Sequence, residues 1–144
     1  MNYIINEFTD SQISESHTKY EDDNINILTY DIIGAAMEVH KTIGKGFLES
    51  VYKDCLRIEF DNRKILFEKE KKFEIIYKGI KIPRHYCADF LIENKVVIEI
   101  KAQSNLIEEN VKQLLNYLAV SKCKLGLLIN FGENSLKTRR FILT

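Results

Sequence analysis

The sequence predicts an α/β (α+β) domain, a mixed sheet flanked by helices, and three observations predict it. First, two apolar runs, Ala88–Ile92 and Val96–Lys101, flank a tight turn at Glu93-Asn94-Lys95 and read as a strand pair. Second, residues 28–43, 47–63 and 106–121 repeat apolar side chains at helical spacing. Third, the chain has 144 residues with 45% apolar and 29% charged content, the size and composition of one ordinary globular domain.

Taken in order, residues 1–24 carry six acids against Lys19, a net of −5, while residues 25–144 carry 20 bases and 15 acids, a net of +5. Residues 1–24 therefore read as an acidic, flexible N-terminal arm with one short ordered piece near Tyr3-Ile4-Ile5, and 25–144 as the single folded domain. The arm is either a solvated tail or a competitor with nucleic acid for the basic body. Thr29 is the expected N-cap of a first helix with Ile32, Ile33, Ala36, Met37, Val39, His40 and Ile43 as its apolar stripe. Gly44-Lys45-Gly46 ends it. A second helix is expected over 47–63, burying Leu48, Val51, Tyr52, Cys55, Leu56 and Phe60.

Residues 67–77 read as a strand that turns at Lys78-Gly79 and returns through Ile80-Lys81-Ile82, with Pro83 marking an edge or bulge before Tyr86. After the Ala88–Lys101 strand pair, Ser104 or Asn105 is the expected cap of a third helix that turns Ile107, Val111, Leu114, Leu115, Leu118 and Ala119 inward. Leu125–Asn130 reads as a buried strand and Lys137–Leu143 as the last one. The order is α-α-β-β-β-β-α-β-β.

The turn at 93–95 decides which side chains share a face. A three-residue loop pairs Ile92 with Val96, Phe90 with Ile98 and Ala88 with Ile100, giving one wholly apolar face. The other face sets Asp89 opposite Glu99 and Cys87 opposite Lys101. A two-residue loop would set Phe90 against Glu99, mixing core with charge. Asn94 is the residue expected to accept a left-handed conformation.

Opposed carboxylates repel, and a divalent cation between them turns repulsion into coordination. Hard oxygen donors suit Mg²⁺ or Mn²⁺. The same repulsion implies that removing either carboxylate holds or raises the stability of the metal-free protein. Lys101, two residues after Glu99, is placed to orient a water or stabilise charge on a phosphate. Glu49 and Tyr52 are three apart on the second helix, which sets a carboxylate beside an apolar face. Gln113 and Tyr117, four apart, share a face of the third.

An Asp followed ten residues later by Glu-x-Lys resembles the core of the PD-(D/E)XK nuclease superfamily; the usual Pro before the Asp is replaced by Cys87-Ala88. Gly46-x-x-Glu49-x-x-Tyr52, with Gln113-Leu114-Leu115-x-Tyr117-Leu118 and Gly126-Leu127-Leu128-Ile129-Asn130-Phe131 following in order, resembles the GxxExxY family. Gln-x-x-x-Tyr after Glu-x-Lys is similar to the helix motif of RecB-like nucleases. The resemblance covers about residues 28–143. It implies a restriction-endonuclease-like core and metal-dependent hydrolysis of phosphodiester bonds in nucleic acid, DNA above RNA. It implies Asp89, Glu99 and the Ile100 carbonyl as metal ligands, with Glu49 completing the shell directly or through water. Lys101 is the cationic partner of the reaction, Gln113 orients it or the substrate, and Tyr117 and Tyr52 support. The alternative is a binding module that kept this fold without turnover.

Composition excludes other classes. No run of about 18 apolar residues predicts a membrane span. Cys55, Cys87 and Cys123 are scattered, without a C-x-x-C, which argues against zinc, iron–sulfur and disulfide frameworks and for a reducing cytoplasm. His17, His40 and His85 form no zinc signature. Lys69-Lys71-Lys72 and Arg139-Arg140 read as solvated charged faces. Oligomeric state is left open, a homodimer included.

Overall fold

The structure is a computed structural model and describes residues 3–6 and 20–143. Its elements are β1 (Tyr3–Asn6), α1 (Tyr20–Ile43), α2 (Glu49–Asn62), β2 (Phe67–Phe73), β3 (Ile76–Tyr77), β4 (Ile80–Lys81), β5 (Tyr86–Ile92), β6 (Val96–Lys101), α3 (Glu108–Ser121), β7 (Leu125–Asn130) and β8 (Lys137–Leu143). From α1 onward this is the expected order, except that the single strand expected over 67–77 divides into β2 and β3. The short ordered piece near Tyr3 is β1, which pairs with β8. The remainder of the expected arm before residue 20, including His17, lies outside the described residues.

Six strands form one sheet in the order β1-β8-β7-β6-β5-β2, and β3 and β4 pair separately. The β6–β7 pair is parallel and the other neighbours are antiparallel. Parallel neighbours need a crossover, and α3 provides it. The central strands β5, β6 and β7 are buried on both faces. On one face Phe90, Ile92, Val96, Ile98, Ile100, Leu125, Leu127 and Ile129 pack with Ile32, Tyr52, Leu56 and Phe60 of α1 and α2. On the other Leu91, Val97 and Leu128 pack with Val111, Leu114 and Leu118 of α3. Each large apolar side chain withdrawn from water contributes about 1.5–3 kcal/mol. Among the described residues no helix is long and apolar enough to cross a membrane.

Several expected boundaries move. Thr29 is not an N-cap: α1 begins at Tyr20, and Thr29 Oγ1 donates to the Ile25 carbonyl one turn back. Met37 and Leu48 fall on exposed faces, not in the core. Neither Ser104 nor Asn105 caps α3. The N-cap is Ile107, exposed rather than inward, and its N–H donates to Asn110 Oδ1 at 2.9 Å from inside the helix. The glycine stop after α1 holds, with Gly44 and Gly46 at φ 67 and 110°.

Candidate active site

The central hairpin has the predicted register, Phe90↔Ile98, Leu91↔Val97 and Ile92↔Val96. Glu93 and Asn94, at φ 49 and 56°, are both left-handed, where the sequence pointed to Asn94 alone. Lys95 N–H closes the turn on the Ile92 carbonyl at 2.8 Å.

Regular pairing between β5 and β6 stops at Phe90↔Ile98. Beyond it the two carboxylates take the place of backbone acceptors. Asp89 N–H donates to Glu99 Oε1 at 3.0 Å, and Ile100 N–H donates to Asp89 Oδ2 at 2.8 Å. The β2–β5 ladder also lapses here, at Glu70 and Asp89, and Glu70 carries a φ of 55°. A non-glycine residue in that region is strained, and such strain gathers at functional sites. With pairing broken on both sides, β5 turns locally. Ala88 packs in the α3-side core and not on the Phe90 face assigned to it from alternation.

These bonds correct the expected effect of removing a carboxylate. Asp89 and Glu99 do repel, but each also satisfies a buried backbone donor. Truncating either to Ala orphans that N–H, at a cost of about 1–3 kcal/mol. The isosteric amides keep an acceptor oxygen.

Both acids are buried, Asp89 at 8% exposure and Glu99 at 3%. Burial, followed by the Asp89 charge, pushes the Glu99 carboxyl up to about 8, against the pull of the Asp89 N–H, Lys101 and Lys53. Lys101 Nζ donates to Gln113 Oε1 at 3.1 Å, and Gln113 Nε2 donates to the Tyr117 hydroxyl at 3.1 Å. Tyr117 in turn meets Tyr86 edge-on, with ring centroids 6.0 Å apart. Its phenol is raised by burial and by the charges of Glu99 and Asp89. Lys101, Gln113 and Tyr117 are therefore joined in one hydrogen-bonded chain.

Sequence reasoning missed Lys53. Its ammonium reaches from α2 to within 2.6 Å of Asp89 Oδ1. Burial works to lower its pKa, yet the bond to Asp89 and the charges of Asp89, Glu49 and Glu99 raise it overall. Its position four residues after Glu49, on the same helix face, was the available signal. Asn130 was quoted within a motif but given no role. Fully buried, it holds the exit of β6: its Oδ1 accepts from Gln103 N–H at 3.0 Å and from Gly132 N–H at 3.1 Å. A Cβ on Gly132 would lie 2.2 Å from the Gln103 carbonyl oxygen, so only glycine fits this close approach.

Tyr52 is fully buried and stacks on Phe131 at 4.5 Å. Its hydroxyl donates to the Gly44 carbonyl at 2.6 Å and accepts from Phe47 N–H at 3.2 Å. It thus fixes the glycine loop that sets the start of α2, where Glu49 stands. Glu49 acts on Lys53 by charge. Among the described residues no group of three His, Cys, Asp or Glu side chains is placed to hold an ion. The Asp89–Glu99 pair nonetheless has the chemistry of a cation site. Its donors are hard oxygens, and one of them already holds the Lys53 ammonium.

No curated protein matches the chain. A solved structure described as "Crystal structure of SSO0001" is similar at 23% identity and a TM-score of 0.49; the match covers 63% of this chain and 48% of that one, so this chain spans about half its length. A family model described as the PD-(D/E)XK nuclease superfamily matches residues 26–141, which include Glu49, Asp89, Glu99, Lys101 and Gln113, and the chain belongs to that superfamily.

Proposed function

We propose that this protein is a divalent-metal-dependent nuclease that hydrolyses phosphodiester bonds in DNA, and that it belongs to the GxxExxY branch of its superfamily. The observation that carries the reading is the acid pair at the break in the β5–β6 ladder, with a cation drawn to Asp89 and the Lys101–Gln113–Tyr117 relay beside it. Asp89, Glu99 and the Ile100 carbonyl would hold Mg²⁺ or Mn²⁺, with Glu49 contributing through water. A bound divalent ion supplies Lewis-acid charge to the phosphate and a more acidic water.

The chain's own residues do the rest. The backbone donors at Asp89 and Ile100 hold the two carboxylates in fixed rotamers. Gln113 keeps the Lys101 ammonium aimed at the site, and Tyr117 keeps Gln113 from rotating away. Lys101 stabilises negative charge as it grows on the phosphate oxygens. Tyr52 sets the α2 start and so the position of Glu49 and Lys53.

The test is cleavage of plasmid, single-stranded DNA and RNA with Mg²⁺ or Mn²⁺, by the wild type and by Asp89→Asn and Glu99→Gln. Loss of cleavage in both variants, with folding retained, is the expected outcome. A wild type that cleaves none of the substrates rejects the reading. One observation favours a binding module without turnover. Lys53 and the proton that burial favours on Glu99 already offset the charge of the pair. That reading predicts nucleic-acid affinity unchanged by metal.

A further inference from the structure

The β3–β4 hairpin stands apart from the main sheet, pairing Ile76 with Lys81 and Tyr77 with Ile80. Its apolar side chains have no core to enter: Ile76, Tyr77 and Ile80 are 59%, 60% and 66% exposed. Its charge is one-sided. Residues 71–85 carry Lys71, Lys72, Lys78, Lys81 and Arg84 against Glu74 alone, in a chain whose total charge is zero. Two of these bases have carboxylate partners, Lys71 with Glu68 and Lys81 with Glu74, at exposed positions where such pairs are worth little and exchange readily. Lys78 lies over the Tyr77 ring, 5.5 Å from its centroid. The turn at Lys78 and Gly79, both left-handed, presents the tip outward.

The hairpin also leads into the site. Its descending arm passes Pro83 and enters β5 at Tyr86, whose ring meets Tyr117, the end of the relay that holds Lys101. Ile80 precedes Asp89 by nine residues, so the chain limits their separation to about 30 Å. That is less than one turn of B-DNA, about 34 Å.

We propose that this hairpin is a DNA-gripping ribbon that engages the duplex beside the cleavage position. Lys78, Lys81 and Arg84 contact phosphates. Tyr77, with Ile76 and Ile80, packs against sugars and base edges within a groove that admits a two-stranded ribbon. Charge selects this occupant: an apolar hairpin edge flanked by bases complements a polyanion, whereas self-association would set like charges against one another. The inference rests on the nuclease reading for its substrate but not for its measurement.

The experiment is fluorescence anisotropy of a labelled 30-base-pair duplex with the full chain in EDTA, across a salt series. It compares wild type, Lys78→Gln/Lys81→Gln and Ile76→Ser/Tyr77→Ser/Ile80→Ser, with melting curves and sedimentation in parallel. The charge variant should weaken binding at least tenfold and flatten the salt slope by about two, one unit for each lost phosphate contact. The apolar variant should weaken binding with the salt slope kept. Unchanged affinity and slope in both folded variants overturns the proposal. So does a dimer turned to monomer without loss of DNA affinity, which would make the hairpin a self-association surface. A wild type without measurable DNA affinity also overturns it. Hairpin-dependent binding without cleavage by the wild type leaves the ribbon standing and rejects the nuclease. Cleavage by the wild type, with hairpin variants that bind unchanged, does the reverse.

Discussion

The two halves of the β5–β6 hairpin are built from opposite materials. Near the turn, Ile92↔Val96, Leu91↔Val97 and Phe90↔Ile98 form an uninterrupted ladder whose side chains enter the two cores. Directly beyond that ladder, side-chain carboxylates accept the backbone N–H groups, and the neighbouring ladder to β2 also lapses. One half uses its hydrogen bonds within the backbone and is stable. The other gives up backbone pairing, collects charge in a buried place and gains chemistry. The first half holds the second in register, because a slip of one residue would send Asp89 and Glu99 into the apolar core.

The sharpest way to break this comparison is to cut the stable half. Phe90 is fully buried, with its ring 5.3 Å from Phe60 and 5.8 Å from Phe67. Phe90→Ala should lower stability by about 3–5 kcal/mol in urea unfolding. Asp89→Asn, measured the same way in EDTA, should cost far less. An equal loss in both would mean that the acid half is part of the scaffold.

Next in size is Lys101→Ala. Cleavage should fall by roughly two orders of magnitude, the scale of one lost transition-state charge partner, while Mg²⁺ affinity by calorimetry holds or rises. A large drop in melting temperature without a selective loss of cleavage would reassign Lys101 to a structural ion pair.

Lys53→Met probes the same half with a smaller effect. Without the ammonium, Asp89 loses its partner in the metal-free protein, so stability in EDTA should fall by about 1 kcal/mol, given the partial exposure of the pair. Mg²⁺ should bind several-fold more tightly, because it no longer competes with a resident cation. Unchanged metal affinity would place Lys53 off the ion's path.

The smallest effect is on pH dependence. Glu99 is raised from 4.5 to about 8 in the folded, metal-free protein. Between those values the folded state binds more protons than the unfolded, so Glu99's contribution makes stability fall as pH rises from about 5 to 8. Glu99→Gln keeps an acceptor for Asp89 N–H and should flatten that decline by a few degrees in melting temperature. The same slope in wild type and variant would show that Glu99 titrates normally.

Much of this was legible in the sequence because it depends on local rules. Alternation together with loop length was enough to predict the Phe90↔Ile98 register and, from it, the Asp89–Glu99 pairing. Helical spacing put Gln113 and Tyr117 on one face, and they do connect to Lys101. What composition and spacing could not supply was the partner of each polar atom. That Glu99 accepts the Asp89 N–H and Asp89 the Ile100 N–H depends on how β5 sits between β2 and β6. That Lys53 reaches Asp89 depends on how α2 packs over the sheet, which Tyr52 and the Gly44 loop decide. Sequence alone determined the face of most strand and helix residues, because side-chain direction repeats along a regular element, and it failed at Ala88, where the ladders lapse. Only the tertiary structure decided which charges meet, because helix and strand are brought together by apolar packing that says nothing of the polar atoms it carries along.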